Sequence, residues 1–176
     1  MYGISGDIFD IISESFNNRK QIIKFNDFYS NENIVKSGVI QGGVISPILF
    51  NVFIAHIIYG LNSYVFKFAD HLCLIRILYD ENDCNLLQND LNIIYNYCLE
   101  NTLKLNPNKC EHLRITYKNI NPFVYKINNI NVNIVENHKH IGIIYDIKMS
   151  FNLHIDMIIE KALKKFSILK IICKKS

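Results

Sequence analysis

The sequence lacks the features that would place it in a membrane or in the secretory route. Its longest apolar stretch, around residues 48–59, is interrupted and shorter than the roughly 20 residues that a bilayer-spanning helix needs. The first ten residues contain neither a basic segment nor an apolar one, so they do not form a signal peptide. We therefore expect an intracellular protein of the nucleus or cytoplasm that is not secreted and has no membrane partner.

Paired cysteines are also lacking. The five cysteines are odd in number and no two have the CxxC spacing, so a disulfide framework and a zinc knuckle both fit poorly. Reduced thiols are the expectation. Cys110 and His112 with the distant Cys98 are the one metal-ligand combination left open, although they do not have a zinc-site spacing. The net charge of +3 permits contact with nucleic acid without requiring it.

What is present is the composition of an ordinary globular protein. The chain has 176 residues, 49% hydrophobic and 20% charged, which suits one domain. Apolar periodicity predicts a helix capped by Ser5, one that begins at Ser46-Pro47 with Ser46 as its cap, a long one over about 83–103, and a last one over about 152–173. Short β-rich runs lie between them. The pattern predicts an α+β domain whose antiparallel sheet carries helices on one face.

Two hairpins and a two-sided helix stand out. Tyr64–Phe68 and 72–77 flank Ala69-Asp70-His71, which predicts a hairpin with Asp70 at its tip, and Asn128-Asn129 predicts a second turn. The last helix should bury a stripe made of Ile155, Ile158, Ala162, Phe166 and Leu169. Its lysines, among them Lys161, Lys164 and Lys165, lie off that stripe. They form either a solvated basic face or a surface for a phosphate backbone.

The order of several motifs carries a resemblance to a known family. SGVIQGGVISPILF at 37–50 resembles the SG-x-PQG-x-x-x-x-P-x-LF segment of reverse transcriptases from non-LTR retrotransposons and group II introns, and FADH at 68–71 is similar to their [YF]-x-D-D hairpin. Further matches follow in family order: LKLN at 103–106 with Lys109-Cys110, HIG at 140–142 with Asp146, and SFNLHI at 150–155 with Lys161-Ala162. The chain is identified as a member of this family.

The resemblance implies a fold and a reaction. Residues 1–150 would be part of a polymerase palm, and residues 151–176 the start of a helical thumb. The reaction would be RNA-templated nucleotidyl transfer to a DNA 3′ hydroxyl, with Mg²⁺ as cofactor. The partners would be an RNA template and a DNA primer, or an RNA–DNA hybrid, together with deoxynucleoside triphosphates.

The resemblance also implies roles for individual residues. Asp70 would be the catalytic metal ligand, and the residues facing nucleotide and template would be Gln41, Gly42, Gly43, Phe68 and Ala69. The alternative for the glycine loop is a turn that simply needs glycine. Lys109 either protonates the leaving pyrophosphate or is a surface lysine. The thumb lysines 161, 164 and 165 would contact the nucleic-acid backbone.

Three departures from the family pattern bear on activity. His71 replaces the second aspartate of the hairpin, and imidazole is a poor Mg²⁺ ligand. Ile40 replaces a proline. The aspartate of the family's first motif has no counterpart, because Asp7 and Asp10 fall on a predicted helix. We therefore expect the 176 residues not to polymerise by themselves. A non-catalytic nucleic-acid-binding module and a relic with no retained role remain the alternatives.

Overall fold

A computed structural model describes residues 3–118 and 121–173. The described residues form two compact units. The first contains residues 3–59 and Tyr64–Ile75, and the second contains Gly60–Ser63 with residues 76–118 and 121–173. Both units combine helices with paired strands, so the expected mixture of helix and strand is confirmed.

The first unit has helices α1 (Asp7–Phe16) and α2 (Ser46–Phe53), followed by a 3₁₀ helix at Ala55–Ile58. Its strands pair antiparallel: β1 (Lys20–Gln21) with β4 (Asn33–Ile34), β2 (Lys24–Phe25) with β3 (Phe28–Tyr29), and β5 (Tyr64–Phe68) with β6 (His71–Ile75). Ile54, Ile57 and Ser46 are its buried residues within the described ranges. The described part of this unit therefore has a small buried core.

The second unit is built on helix α3 (Glu81–Glu100) and ends in α4 (Asn152–Cys173), with a 3₁₀ turn at Pro107–Lys109. Its strands are β7 (Glu111–Leu113), β8 (Lys126–Ile127), β9 (Ile130–Asn131), β10 (Asn133–Val135), β11 (Asn137–His140) and β12 (Ile143–Asp146). Tyr125, Ile127 and Val132 form the core, and α3 packs Leu87 and Leu91 against it. This unit holds most of the buried apolar side chains of the described chain.

The expectation of one antiparallel sheet is wrong for the residues that the structure describes. They form six separate two-stranded ladders, and β7 with β10 is parallel. The strands are two to five residues long, and tight turns close most of them locally. Asn128 and Asn129 have φ of 49° and 61°, a backbone region that asparagine tolerates better than most residues. The hairpin predicted at these two asparagines is confirmed.

Helix α3 begins two residues earlier than the sequence indicates. The Asp80 carboxylate accepts a hydrogen bond of 3.1 Å from the backbone N–H of Asp83, which caps the first turn. The expected cap of the first helix is wrong, since Gly6 occupies that position and no side chain caps the helix. Among the described helices, none has the length and apolar character of a membrane span.

The bounds predicted for the last helix are confirmed, but its buried stripe is not. No residue of α4 is buried, and Ile155 and Phe166 are 50% and 65% exposed. In the described chain β12 is the main element that packs on α4, and the half-buried residues of the helix are His154 and Met157 near its start. The apolar stripe lies on another side of the helix, so it stays in contact with solvent.

Candidate nucleotide and nucleic-acid site

Asp70 lies at the tip of the β5–β6 hairpin, as the sequence predicts. Phe68 pairs with His71, so Ala69 and Asp70 form a two-residue turn. Ala69 has φ of 51°, a left-handed conformation that costs a non-glycine residue roughly 1–2 kcal/mol. The Asp70 side chain is 80% exposed, and its Oδ1 lies 4.0 Å from Nε2 of His71. The turn therefore presents its carboxylate to solvent with an imidazole beside it.

One lysine ties this hairpin to helix α2 within the first unit. Nζ of Lys67, on β5, makes long hydrogen bonds of 3.4 and 3.5 Å to the carbonyl oxygens of Asn51 and Ile54. These carbonyls lie at the C-terminal end of α2, where the helix dipole favours a cation. Lys67 therefore holds the turn end of the hairpin against the helix that follows the glycine-containing loop.

The loop before α2 is closed by short hydrogen bonds. The N–H of Gly43 donates to the carbonyl of Ile40 at 3.1 Å, and the buried Ser46 hydroxyl donates to the same carbonyl at 2.6 Å. A Cβ at Gly43 would lie 2.5 Å from Oγ of Ser46, so a larger residue there would force the Ser46 side chain or the loop to shift. Gly42 needs glycine for another reason, its φ of 79°. Gln41, directly before Gly42, is exposed.

The Ser46 cap predicted from the sequence is wrong. The cap position of α2 is Ile45, and Ser46 is the first residue of the helix. Its hydroxyl instead closes the loop, because the Ile40 carbonyl is within its reach. Arg19 also contacts this loop. Its Nη2 donates to the carbonyl of Gly38 at 2.6 Å, which connects the segment before β1 to the start of the loop.

A buried carboxylate in the second unit holds the residues that directly precede β5 in the chain. Asp90 on α3 is fully buried and accepts hydrogen bonds from the backbone N–H groups of Asn62 and Ser63, both at 2.9 Å. Side-chain donors of the same two residues complete its shell at 3.2 and 2.5 Å. Asp90 lies among the apolar positions of α3. A charged residue at such a position indicates a buried carboxylate with hydrogen-bond donors around it, and the sequence analysis did not include it.

Arg76, the residue that follows β6, is held by the same helix. It donates to Oδ1 of Asp83 through Nε at 3.1 Å and Nη2 at 2.8 Å, and to the carbonyl of Asn62 at 3.0 Å. The pKa of Asp83 is lowered, first by the backbone N–H of Tyr79 and then by Arg76. The two chain segments that flank the hairpin are therefore bonded to each other and to α3.

The second unit also contains Lys109 and the cysteine–histidine group. Lys109 is exposed at the end of the 3₁₀ turn, and the structure gives it no feature beyond that of a surface lysine. Cys110 packs against the core, and the ring of His112 lies edge-on to Tyr125 at 4.7 Å. Burial lowers the pKa of His112 and raises the pKa of the Cys98 and Cys110 thiols. These side chains are part of the packing around Tyr125.

The lysines of α4 form a basic face. Lys161, Lys164 and Lys165 are all exposed; at about 100° per residue Lys161 and Lys164 lie away from the apolar stripe, and Lys165 lies at its edge, nearly in line with Ile158. Nζ of Lys164 lies 2.6 Å from a carboxylate oxygen of Glu160, so its charge is partly balanced. The separation of basic and apolar sides that the sequence predicts is thus present for Lys161 and Lys164.

Asp146, the aspartate of the HIG…D motif, organises the turn into α4. Its carboxylate accepts hydrogen bonds from the Ser150 hydroxyl at 2.7 Å and from the backbone N–H groups of Lys148 and Phe151 at 2.9 and 3.0 Å. The Ser150 hydroxyl is the largest of the causes that lower the pKa of Asp146 from 3.8 to about 2. This motif residue therefore has a structural explanation.

The donor groups present do not by themselves fit a magnesium site. Mg²⁺ prefers several hard oxygen ligands in octahedral geometry. Across the described ranges, no three His, Cys, Asp or Glu side chains come together in a way that could hold a metal ion. Asp70 offers a single carboxylate, and the group beside it is an imidazole.

Comparison with known proteins identifies the family. Residues 7–144 match the reverse transcriptase (RNA-dependent DNA polymerase) family, and the chain belongs to it. It is 25% identical over 161 residues to a protein of Drosophila melanogaster named probable RNA-directed DNA polymerase from transposon BS. The match covers 84% of this chain and 17% of that protein. No solved structure matches the chain. The family resemblance drawn from the motifs is confirmed.

Membership of the family establishes properties of reverse transcriptases in general, not the roles of individual residues in this chain. Reverse transcriptases depend on divalent metal ions and act on template, primer and nucleotides. In this chain the loop at 41–43 and the hairpin at 68–70 belong to the first unit, whereas Lys109 and the α4 lysines belong to the second. The individual roles of these residues stay predictions.

Proposed function

We propose that this chain is part of the RNA-directed DNA polymerase of a non-LTR transposable element and lies inside the cell, in the nucleus or cytoplasm. Residues 1–150 would belong to the palm, and residues 151–176 would begin the thumb. One observation supports this most strongly. Within the reverse transcriptase match, the Phe68-Ala69-Asp70 turn presents an exposed carboxylate from a hairpin that Lys67 ties to the helix after the SG…QGG loop.

In this proposal the first unit supplies the nucleotide-facing surface. Gln41 is exposed directly before Gly42, whose positive φ disfavours other residues, and Gly43, where a Cβ would meet Oγ of Ser46, so the loop can offer its backbone and the Gln41 side chain to a base or sugar. Phe68 is 61% exposed beside Asp70 and can support a ring by stacking. Lys109 would act on the leaving pyrophosphate in the complete enzyme.

The 176 residues alone would bind nucleic acid without extending a primer. A polymerase holds two Mg²⁺ ions with several carboxylates, and only Asp70 matches a family ligand here. The exposed lysines of α4 favour the second candidate function, a non-catalytic module that binds an RNA–DNA hybrid through its phosphates. A relic with no retained binding is the third possibility.

Binding of a labelled RNA–DNA hybrid, followed by fluorescence anisotropy over a range of salt concentrations, tests the proposal. We expect binding that weakens steeply with salt, because each lysine–phosphate contact releases counterions. A variant with Lys161, Lys164 and Lys165 all changed to Gln should lower the salt slope by about one for each phosphate that these lysines neutralise.

The matched control changes three exposed lysines of the same unit that lie outside α4, Lys118, Lys126 and Lys139, to Gln. This triple variant removes the same charge but should keep the slope. Equal salt slopes for both triple variants would show that the lysines of α4 do not contact the phosphates. No binding by a chain shown to be folded would leave the relic as the surviving interpretation.

A further inference from the structure

The exposed side of α4 has the spacing of a coiled-coil seam. Ile155, Ile159, Ala162, Phe166, Leu169 and Cys173 follow one another at alternate steps of four and three residues. That spacing keeps six consecutive positions on one side of a helix, as in the a and d positions of a heptad. All six are exposed, with Ile159 at 51% and Leu169 at 58%. The seam therefore offers a long apolar strip to solvent.

This seam is distinct from the side of α4 that packs within the second unit. The half-buried residues of the helix are His154 and Met157, and β12 is the main element against it. At about 100° per residue, both residues lie well away from the line through Ile155 and Ile159. Lys161 and Lys164 also lie away from the seam, so a partner could cover it while these two lysines stay accessible.

The charges beside the seam favour a second copy of α4 in antiparallel orientation as the partner. If a second α4 lies antiparallel, Ile155 faces Cys173, Ile159 faces Leu169, and the small Ala162 faces the large Phe166 of the other copy. Asp156 and Lys170 occupy the same flank of the seam, and in this register each faces its opposite charge on the other helix. The pairing occurs twice because the contact is two-fold symmetric.

Other arrangements lack this complementarity. In a parallel pair the residues on one flank of the seam lie beside those on the other flank of the partner, so Lys170 of one helix lies beside Lys165 of the other, which places like charges together. The antiparallel register has one unfavourable element, since Lys165 approaches its own copy at the two-fold axis on the other flank. Its side chain is exposed and long enough to extend outward into solvent.

We propose that α4 mediates an antiparallel, two-fold symmetric dimer of this chain, with the 155–173 seam buried and two Asp156–Lys170 contacts at its ends. The contact covers an apolar strip that no described part of the same chain covers. It leaves Lys161 and Lys164 on the outer side of each helix. The inference does not depend on the proposed nucleic-acid function.

Sedimentation equilibrium of the purified chain tests the dimer. We expect a concentration-dependent monomer–dimer equilibrium. Lys170→Asp and Asp156→Lys should each raise the dissociation constant by about tenfold, because two attractive contacts become repulsive. The double variant, in which the charges are exchanged, should return the constant toward that of the wild type. Lys161→Asp makes the same charge change on the opposite face and should have little effect.

A cross-linking experiment tests the orientation separately. Ile155→Cys places a thiol opposite Cys173 of the other copy, so a mild oxidant should give a covalent dimer through positions 155 and 173. Peptide mapping would identify the bonded pair. Disulfides that join Cys173 to Cys173 or position 155 to position 155 would overturn the antiparallel register. A wild-type chain that stays monomeric, or a charge exchange that restores nothing, would overturn the proposal itself.

Discussion

At Gly43 the backbone passes so close to the Ser46 hydroxyl that the two residues must be considered together. The hydroxyl is buried and donates to the Ile40 carbonyl at 2.6 Å, and the ideal Cβ position of residue 43 lies 2.5 Å from Oγ. The family motif places both residues in one segment, yet its letters do not say which contact makes them necessary. Here the contact is internal to the loop, so it shapes the surface on which Gln41 is exposed.

This contact predicts non-additive mutations. Ser46→Ala should lower the free energy of unfolding by about 0.5–1.5 kcal/mol, because the Ile40 carbonyl loses the hydroxyl donor and keeps only the N–H of Gly43. Gly43→Ala should cost roughly 1–3 kcal/mol through the clash. In the double variant the clash with Oγ is gone, so the total should fall short of the sum by about 1 kcal/mol. Urea unfolding of the four proteins measures this coupling.

Gly42 supplies the control for the cycle. Its ideal Cβ position meets no atom within 4 Å, but its φ of 79° disfavours any other residue. Gly42→Ala should therefore be destabilising by an amount that does not change when Ser46 is also replaced. A strictly additive Gly43–Ser46 pair would show that the loop relaxes away from the clash.

At the scale of elements, the sequence correctly predicted helices and turns that are formed by residues close together in the chain. The bounds of α4, the hairpin at Asp70 and the turn at Asn128-Asn129 are all confirmed. Apart from the helix caps expected at Ser5 and Ser46, what the sequence did not predict depends on partners distant in the chain. Asp90 bonds to Asn62 and Ser63 across 28 and 27 residues, and no periodicity indicates that pairing. The exposure of the α4 stripe likewise depends on what else is present to cover it.

The turn into α4 should respond to acid in a defined direction. The pKa of Asp146 is lowered to about 2 in the folded chain, so its ionised form stabilises the fold. That contribution is fully present above the ordinary value of 3.8 and is lost as the pH falls toward 2. The stability difference between the wild type and Asp146→Asn should therefore be constant above about pH 5 and shrink below it.

Denaturant midpoints measured at several pH values, for both proteins in parallel, check this expectation. Because Asp83 also has a lowered pKa, the difference between the two proteins is the informative quantity. Ser150→Ala removes the hydroxyl that lowers the pKa of Asp146 most and should reproduce part of the change. A difference that grows as the pH falls would contradict the assignment of the turn to the ionised carboxylate.

At the scale of the whole molecule, the residues with predicted roles are divided between the two units, Gln41 and Asp70 in the first and Lys109 and the α4 lysines in the second. The family match extends from residue 7 to residue 144 and so includes most of both. The motifs predicted this family membership because they occur along the chain in the same order as in the family. They could not predict that the residues flanking the hairpin would be bound to α3 through Asp90 and Asp83. These two carboxylates stabilise the position of the hairpin flanks without any resemblance to a motif.

Restoring the family's second hairpin aspartate should not make this chain a polymerase. His71→Asp would place a second carboxylate beside Asp70, but in-line transfer between two metal ions needs further ligands, and the described residues bring no third one to this turn. We expect no templated primer extension by the wild type or by the variant, with an active reverse transcriptase as the positive control. The converse result is equally specific. Extension by His71→Asp that disappears on adding Asp70→Ala would show that two hairpin carboxylates suffice, and the proposal of an inactive chain would then be wrong.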